Sequence, residues 1–477
     1  MKTIRFTGVA LAWALSLCAH AQTYKMMAYL NGAPSSPVEP GLIAQSRGGF
    51  LVTTASDQTT DGAGVTFRVT TSGAVTVLHQ FMTGNGQRYS PAGGLTLGRD
   101  GQFYGTTTSG GSTTSFGGVV NAGSVFKMAP DGIITTLHEF DPLRDGIPYA
   151  PPIQSMYGDF YGTTYGNATS LNSNADEPGT IYKIDSAGNY TPLHTFNVHE
   201  GANPMGALVQ SATTFWFYGT AMHAGPNDAG TIFRINSSGS FEVLYNFDNS
   251  HGAYPVAMIQ ANDGNYYGVT LLGGGPQNAG VIFKMTPASP TYQVTVLHSF
   301  TGGSDGGEPL GGFLQGSDGY LYGTTGEGGA SGQGVLFRIT TSGTGFAVLH
   351  DFHAASGEAP VTLMQHTDGF FYGATNAGGV LNGVNYQGVV FRLDMGLPPF
   401  VTFLNTYGRV GMTVQLLGDG FTADSQVLFN GVAATEISDV ENTFMKVVVP
   451  EGATSGPITV TTTKGLLTSN KPFVVRP

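Results

Sequence analysis

The chain has 477 residues, 72 of them glycine, and its 31 acidic residues outnumber 19 basic ones. That balance excludes a nucleic-acid partner, because nothing basic is left over to neutralise a phosphate backbone. Only 10% of residues are charged, yet apolar β-formers recur throughout, which excludes disorder and points to an all-β chain with many tight turns.

The first 21 residues read as a secretory signal. Lys2 and Arg5 open it, Val9 to Leu17 form an apolar run, and Ala19-His20-Ala21 is an A-x-A cleavage site. The run is too short to span a bilayer, and no later segment is long and apolar enough to serve as a transmembrane segment. Cys18 is the single cysteine, and Leu17 stands where a lipidation motif requires a small residue. Cleavage after Ala21 leaves 17 basic residues against 31 acidic ones and no cysteine, so disulfides drop out as a source of stability. The expected localisation is secreted or cell surface.

From Tyr24 onward one phrase repeats: G-x-F-Y-G-T-T, a glycine loop, G-x-V-F-K, then T-x-L-H-x-F. Its closing aromatics are Phe81, Phe140, Phe196, Phe247, Phe300 and Phe352, spaced 59, 56, 51, 53 and 52 residues apart. Periods near fifty residues mark stacked supersecondary units. Each unit resolves into four short strands, in the second roughly Gly94–Leu97, Gln102–Thr107, Ser124–Met128 and Ile133–Phe140, with Asp-Gly or Ser-Gly at the tight turns. Four antiparallel strands per fifty residues is a propeller blade. Seven units are counted; the seventh lacks its T-x-L-H-x-F strand. Tyr24–Leu30 is in phase to supply it, since Leu30 precedes Phe81 by 51 residues. Residues 22–396 therefore read as a seven-bladed β-propeller closed by its N-terminal strand, which removes the open sheet edge.

Several residues recur in nearly every unit and read as scaffold. The glycines of Y-G-T-T are expected to permit close approach between blades. Gln45, Gln154, Gln210, Gln260, Gln315 and Gln365, with Leu97 in the seventh place, are expected to line the central channel and bind water. The third-strand cations Arg68, Lys127, Lys183, Arg234, Lys284, Arg338 and Arg392 read as a repeated interblade or solvent-facing contact. The histidines of L-H-x-F belong to the same scaffold.

Pro398-Pro399 breaks the pattern. Beyond it come Gly418-Asp419-Gly420-Phe421, Val427-Leu428-Phe429-Asn430-Gly431 and a segment from Pro450 to Val460 containing Gly456-Pro457-Ile458. Short alternating strands between glycine and asparagine turns give an immunoglobulin-like β-sandwich over residues 397–477. These motifs resemble the IPT/TIG domain, which implies an extracellular spacer or interaction module. D-G-x-F-Y-G-T-T, G-x-V-F-K and L-H-x-F resemble the GloVer tandem repeats of bacterial exported proteins over nearly all of residues 40–393. That resemblance implies a bacterial source and export, and no activity that carries over residue by residue.

Chemistry is sought where loops depart from the repeat, on the face bearing the second-to-third-strand and blade-joining loops. Arg88 and Arg144 are candidates to bind a carboxylate, and Tyr89, Tyr149 and Tyr254 sit beside the loop prolines as ligand-binding candidates. His199, His223 and His251 are the catalytic candidates if the chain is an enzyme. Solvated histidines and turn-capping acids are the plainer reading of such loops. No spaced metal motif, H-E-x-x-H, G-x-S-x-G or phosphate-binding loop occurs, so no metal or cofactor is expected. The leading expectation is a monomeric, non-catalytic propeller binding an extracellular polysaccharide or other polymer, or a surface protein. The alternative is a lyase or glycosidase acting on acidic polysaccharide.

Overall fold

The computed structural model describes residues 22–29, 50–53, 64–81, 90–110, 122–141, 145–166, 178–287, 292–381, 383–385, 388–405 and 407–476. Residues 1–21, read above as a secretory signal, and Gln45, Arg88, Tyr89 and Arg144 lie outside the described residues. The fold is all-β, with propeller-like sheets of four antiparallel strands. Among the described residues, positions 23–394 form six four-stranded sheets, one of three strands, Phe50–Thr53, Val65–Val69 and Val75–Gln80, and a small ribbon of Val380–Leu381 with Val384–Asn385. The second sheet is typical: Pro91–Leu97, Phe103–Thr107, Ser124–Met128 and Ile134–Glu139, each hydrogen-bonded to the next.

The last of these sheets takes its outer strand from the start of the chain. Thr23–Tyr29 runs antiparallel to Val389–Asp394, with Thr23 opposite Asp394 and Tyr29 opposite Val389. The side chains match the repeat as well as the backbone does. His138 stacks on Tyr190 of the next sheet at 3.8 Å, His194 on Phe241 at 3.9 Å, and His298 on Phe346 at 3.9 Å. His350 stacks on Tyr24 at 3.8 Å in the same way. A second set of stacks joins the same neighbours from second strand to second strand: Tyr104 on Phe160 at 3.7 Å, Tyr161 on Phe217 at 4.1 Å. Aromatic pairs therefore tie sheet to sheet at both the fourth and the second strands.

One scaffold expectation needs correction. The Y-G-T-T glycines make room inside their own sheet rather than between sheets. A Cβ at Gly105 would lie 2.7 Å from the ring of Phe126 directly across the ladder, and one at Gly323 would lie 2.5 Å from Phe337. Four of the glutamines, in turn, use their amides to staple neighbouring sheets. Gln260 accepts from the Ala212 N–H at 2.8 Å and donates to the Gly264 carbonyl at 3.2 Å. Gln154, Gln315 and Gln365 do the same with Arg99, Asn262 and Ser317. The amide reaches the first turn of the preceding sheet, and that turn has an unpaired N–H to offer.

The third-strand cations hold scaffold contacts. Lys127 donates to the Ser186 carbonyl of the next sheet at 3.0 Å, Lys183 pairs with Asp159 at 2.7 Å, and Arg234 pairs with Glu242 and covers Trp216 at 4.4 Å.

Residues 402–476 build two further four-stranded sheets around a core of Val414, Leu416, Phe429, Met445, Val447, Ile458 and Phe473. Tyr407–Arg409 pairs in parallel with Val474–Arg476. This unit rests on the turns between first and second strands. Arg476 donates to the Ala212 carbonyl at 3.0 Å, Asn262 donates to the Asn470 carbonyl at 2.9 Å, Gln415 donates to the Arg99 carbonyl, and the Phe400 N–H donates to the Thr367 carbonyl at 2.9 Å. Its contacts with the preceding sheets named here all fall on the turn face.

Candidate functional site

The loop face is shaped by a join that recurs around the start of the first strand in five of the sheets. Ile147, Asn203, Tyr254, Glu308 and Ala359 each precede a proline and each has φ between 48° and 60°. A left-handed residue before proline is strained, at about 1–3 kcal/mol. The surrounding structure holds it there. Each of the five donates its N–H to the preceding sheet, as Ile147 does to the Ala122 carbonyl at 2.7 Å and Tyr254 to the Ala229 carbonyl at 2.9 Å. The proline ring then seats on a glycine of that sheet: a Cβ on Gly123 would meet Pro148 at 3.0 Å, and one on Gly230 would meet Pro255 at 2.6 Å. The rim residues are thus fixed in place.

The candidates named from the sequence fall into separate contact sets on this face. His223 is joined to Ala202 by a backbone bridge and packs 4.8 Å from Tyr254. Burial holds its imidazole below the usual histidine range, against the pull of Asp228. Tyr149 meets Tyr165 edge-on at 5.2 Å, and burial raises its phenol. His251 lies in its own turn, bonded through Nδ1 to Asp248 at 2.9 Å and to Ser250 at 3.0 Å. His199 is exposed, and its backbone N–H donates to Asn197 Oδ1 at 3.0 Å. The structure joins His223 to Tyr254; it does not bring the three histidines together. Among the described residues, no group of three or more His, Cys, Asp or Glu side chains lies close enough to hold a metal ion.

Two functional candidates escaped the sequence reading. Glu327 occupies in the sixth sheet the place of His223 in the fourth, bridged to Gly307 as His223 is to Ala202. It faces Glu308, whose carboxyl is raised above the ordinary range by burial and by the Glu327 charge. The register of the repeat was the available signal: aligning the residue after each second strand with the residue before each loop proline sets these two glutamates side by side. On the seventh sheet, Asn376 Oδ1 is buried without a hydrogen-bond partner.

Among the described residues, which leave out Arg88 and Arg144, the charge of this face is one-sided. Among the described residues of the first 396, every lysine and arginine stands on a third strand, on the closing strand (Lys25) or at a first turn (Arg99). None lies on the loop face. That face carries Asp145, Glu200, Asp228, Asp248, Asp305, Glu308, Glu327 and Glu358. Aromatic and apolar side chains (Tyr149, Tyr165, Met205, Met222, Tyr254, Leu271) sit among the acids.

Solved structures share this fold at low identity. A streptogramin B lyase is 15% identical, covering 78% of this chain and 97% of its own, with a TM-score of 0.51. A fungal alcohol oxidase of the AA5 family, in complex with copper, is 14% identical over 96% of this chain and all of its own, at 0.53. The periplasmic gluconolactonase of Pseudomonas aeruginosa is 14% identical over 85% of this chain, at 0.48. At such identities the likeness shows the fold alone. No curated protein sequence matches the chain. The Gloeobacter/Verrucomicrobia repeat model matches residues 14–216, 112–302 and 273–415, nearly the whole repeat region, and the chain belongs to that family.

Proposed function

We propose that the chain is a secreted, non-catalytic seven-bladed propeller with a C-terminal immunoglobulin-like domain of IPT/TIG type, and that its loop face binds an extracellular polymer. The seven sheets before residue 396 and the equivalence of Tyr24 with Tyr190 support the ring. The two four-stranded sheets of residues 402–476 support the sandwich. The observation that carries the binding reading is the loop face itself: fixed aromatic and apolar rim residues among carboxylates, with no lysine or arginine among the described residues there. The charge of the described residues favours neutral or amine-bearing polymers over polyanions. A basic surface protein is the other occupant that this charge suits.

The test is co-sedimentation with chitosan, insoluble β-glucan and calcium-gelled polygalacturonate, at low and at high salt, with assays for reducing and unsaturated ends. Retention on the first two without new ends is the expected result. Retention on polygalacturonate alone would overturn the reading.

A second reading rests on one observation. A carboxyl raised by burial beside another carboxylate is the arrangement of a glycosidase acid, and Glu308 with Glu327 has it. New reducing ends, abolished in Glu308→Gln, would establish hydrolysis.

A further inference from the structure

Six of the seven third-strand cations have contacts that engage their charge. Beyond those already described, Lys284 lies 5.6 Å from the Tyr267 ring, Arg338 covers Tyr320 at 4.7 Å, and Arg392 covers Phe370 at 4.4 Å. Among the described residues Arg68 has no such partner. In the sixth and seventh sheets the residue opposite the arginine is a tyrosine, Tyr322 or Tyr372; opposite Arg68 it is Leu51. The stacking aromatic there immediately precedes the second strand; before Phe50 the sequence has Gly49. Among the described residues nothing hydrogen-bonds, ion-pairs or stacks with the Arg68 guanidinium, although the residue is only partly exposed. A charge withdrawn from water without a partner is costly, so this departure from the repeat needs a reason.

The guanidinium borders a cavity of about 290 Å³ between the first two sheets and the C-terminal unit. Phe103, Leu417 and Phe444, all buried, make an apolar wall. Two further cations line it, and both are engaged: Arg99 binds the Ser155 and Met156 carbonyls, and Lys446 pairs with Asp439 at 2.5 Å. The one carboxylate in the lining, Asp100, is also engaged, accepting from the Tyr104 hydroxyl at 2.7 Å and the Gln102 N–H at 3.1 Å. Among the described residues of the lining, Arg68 is left as the cation without a partner.

We infer that this interdomain cavity binds a small organic anion, a carboxylate or sulfonate carried on an aromatic or branched apolar body. The apolar wall takes the body, and Arg68 takes the charge through paired N–H donors. The volume, at the lower end of ligand pockets, suits a ring-sized acid rather than a polymer. The site lies on the turn face, remote from the rim proposed to bind polymer, and does not depend on that proposal.

Calorimetry on the purified protein with 2-naphthoate and its neutral counterpart 2-naphthamide tests the site. The acid is expected to bind about ten- to a hundredfold more tightly than the amide, the usual margin for a charge-assisted contact. Arg68→Met should bring the acid down to the level of the amide. Arg338→Met, which removes an equivalent cation away from the cavity, should leave binding unchanged. Leu404→Trp, which fills the cavity from the C-terminal side, should abolish binding of both compounds at an unaltered unfolding midpoint, and it serves if Arg68→Met fails to fold. Equal affinity for acid and amide, binding of neither, or equal losses in Arg68→Met and Arg338→Met would each overturn the proposal.

Discussion

Replacing Gly323 by alanine tests the close packing of the repeat within one sheet. A Cβ there would lie 2.5 Å from Cζ and 3.0 Å from Cε1 of Phe337, and 3.0 Å from Phe313. Real Cβ atoms do not come within 3 Å, so the ring has to move. It has little room: Phe337 is fully buried and packs 5.3 Å from Phe300 and 5.6 Å from Phe346. Gly323 has no left-handed φ, so backbone strain is not the issue. Overpacking of this kind costs about 1–3 kcal/mol, and the lack of relief places Gly323→Ala towards the upper end. Urea unfolding should show a lower midpoint with an unchanged slope. Phe337→Leu alone leaves a void and destabilises too. The two changes combined should be less damaging than their sum by about 1 kcal/mol or more, because the shorter side chain vacates the space the methyl needs. Strict additivity, or a Gly323→Ala cost below about 0.5 kcal/mol, would refute the view that this glycine exists to clear the facing phenylalanine.

His350 is held down to about 4, first by burial and then by the nearby His353 charge, while Asp351 pulls the other way. Its folded value lies below the unfolded one, so its contribution is complete above about pH 6.5 and is lost as pH falls towards 4. NMR titration should place its midpoint near 4, and stability should fall less steeply over that window in His350→Phe; a midpoint above 6 would contradict the stacked, buried geometry. Tyr24→Ala removes the stack on His350 and the bond to the Ser356 carbonyl. It should cost about 3 kcal/mol or more, read by thermal unfolding. Deleting residues 22–30 exposes the edge of Val389–Asp394 and should yield oligomers by light scattering; a stable monomer would argue that the ring does not need this strand. Gln260→Leu strands the Ala212 N–H and should cost about 1–3 kcal/mol by urea unfolding, well above an exposed Gln→Leu control.

The architecture was readable because its signals recur at a fixed interval. The L-H-x-F spacing fixed the phase that carried Tyr24 into the missing place of the last sheet, and the second-sheet strands fell within three residues of their expected limits. Partners across space were less readable. Gly105 announces a close approach but not by what, and Gln260 alternates as a channel-lining residue would, although a neighbouring turn lies within its reach. The strained joins escaped notice because only the proline repeats; the residue before it is Ile147, Asn203, Tyr254, Glu308 or Ala359, and the left-handed φ belongs to the position. Glu308 and Glu327 were passed over for the same reason, being departures in two different loops that only the register brings together. The seat of the C-terminal unit leaves no periodic trace at all.

The pairing of Thr23 with Asp394 sets a clock on the molecule. At roughly 5–20 residues per second, synthesis separates the two partners by roughly 20–70 s. For that interval the earliest strand has no neighbour and the growing stack is an arc with a raw edge. The last of the seven sheets therefore cannot be completed before residues 389–394 have been made: a chain that stops short of residue 389 keeps its earlier sheets but leaves Thr23–Tyr29 without its partner.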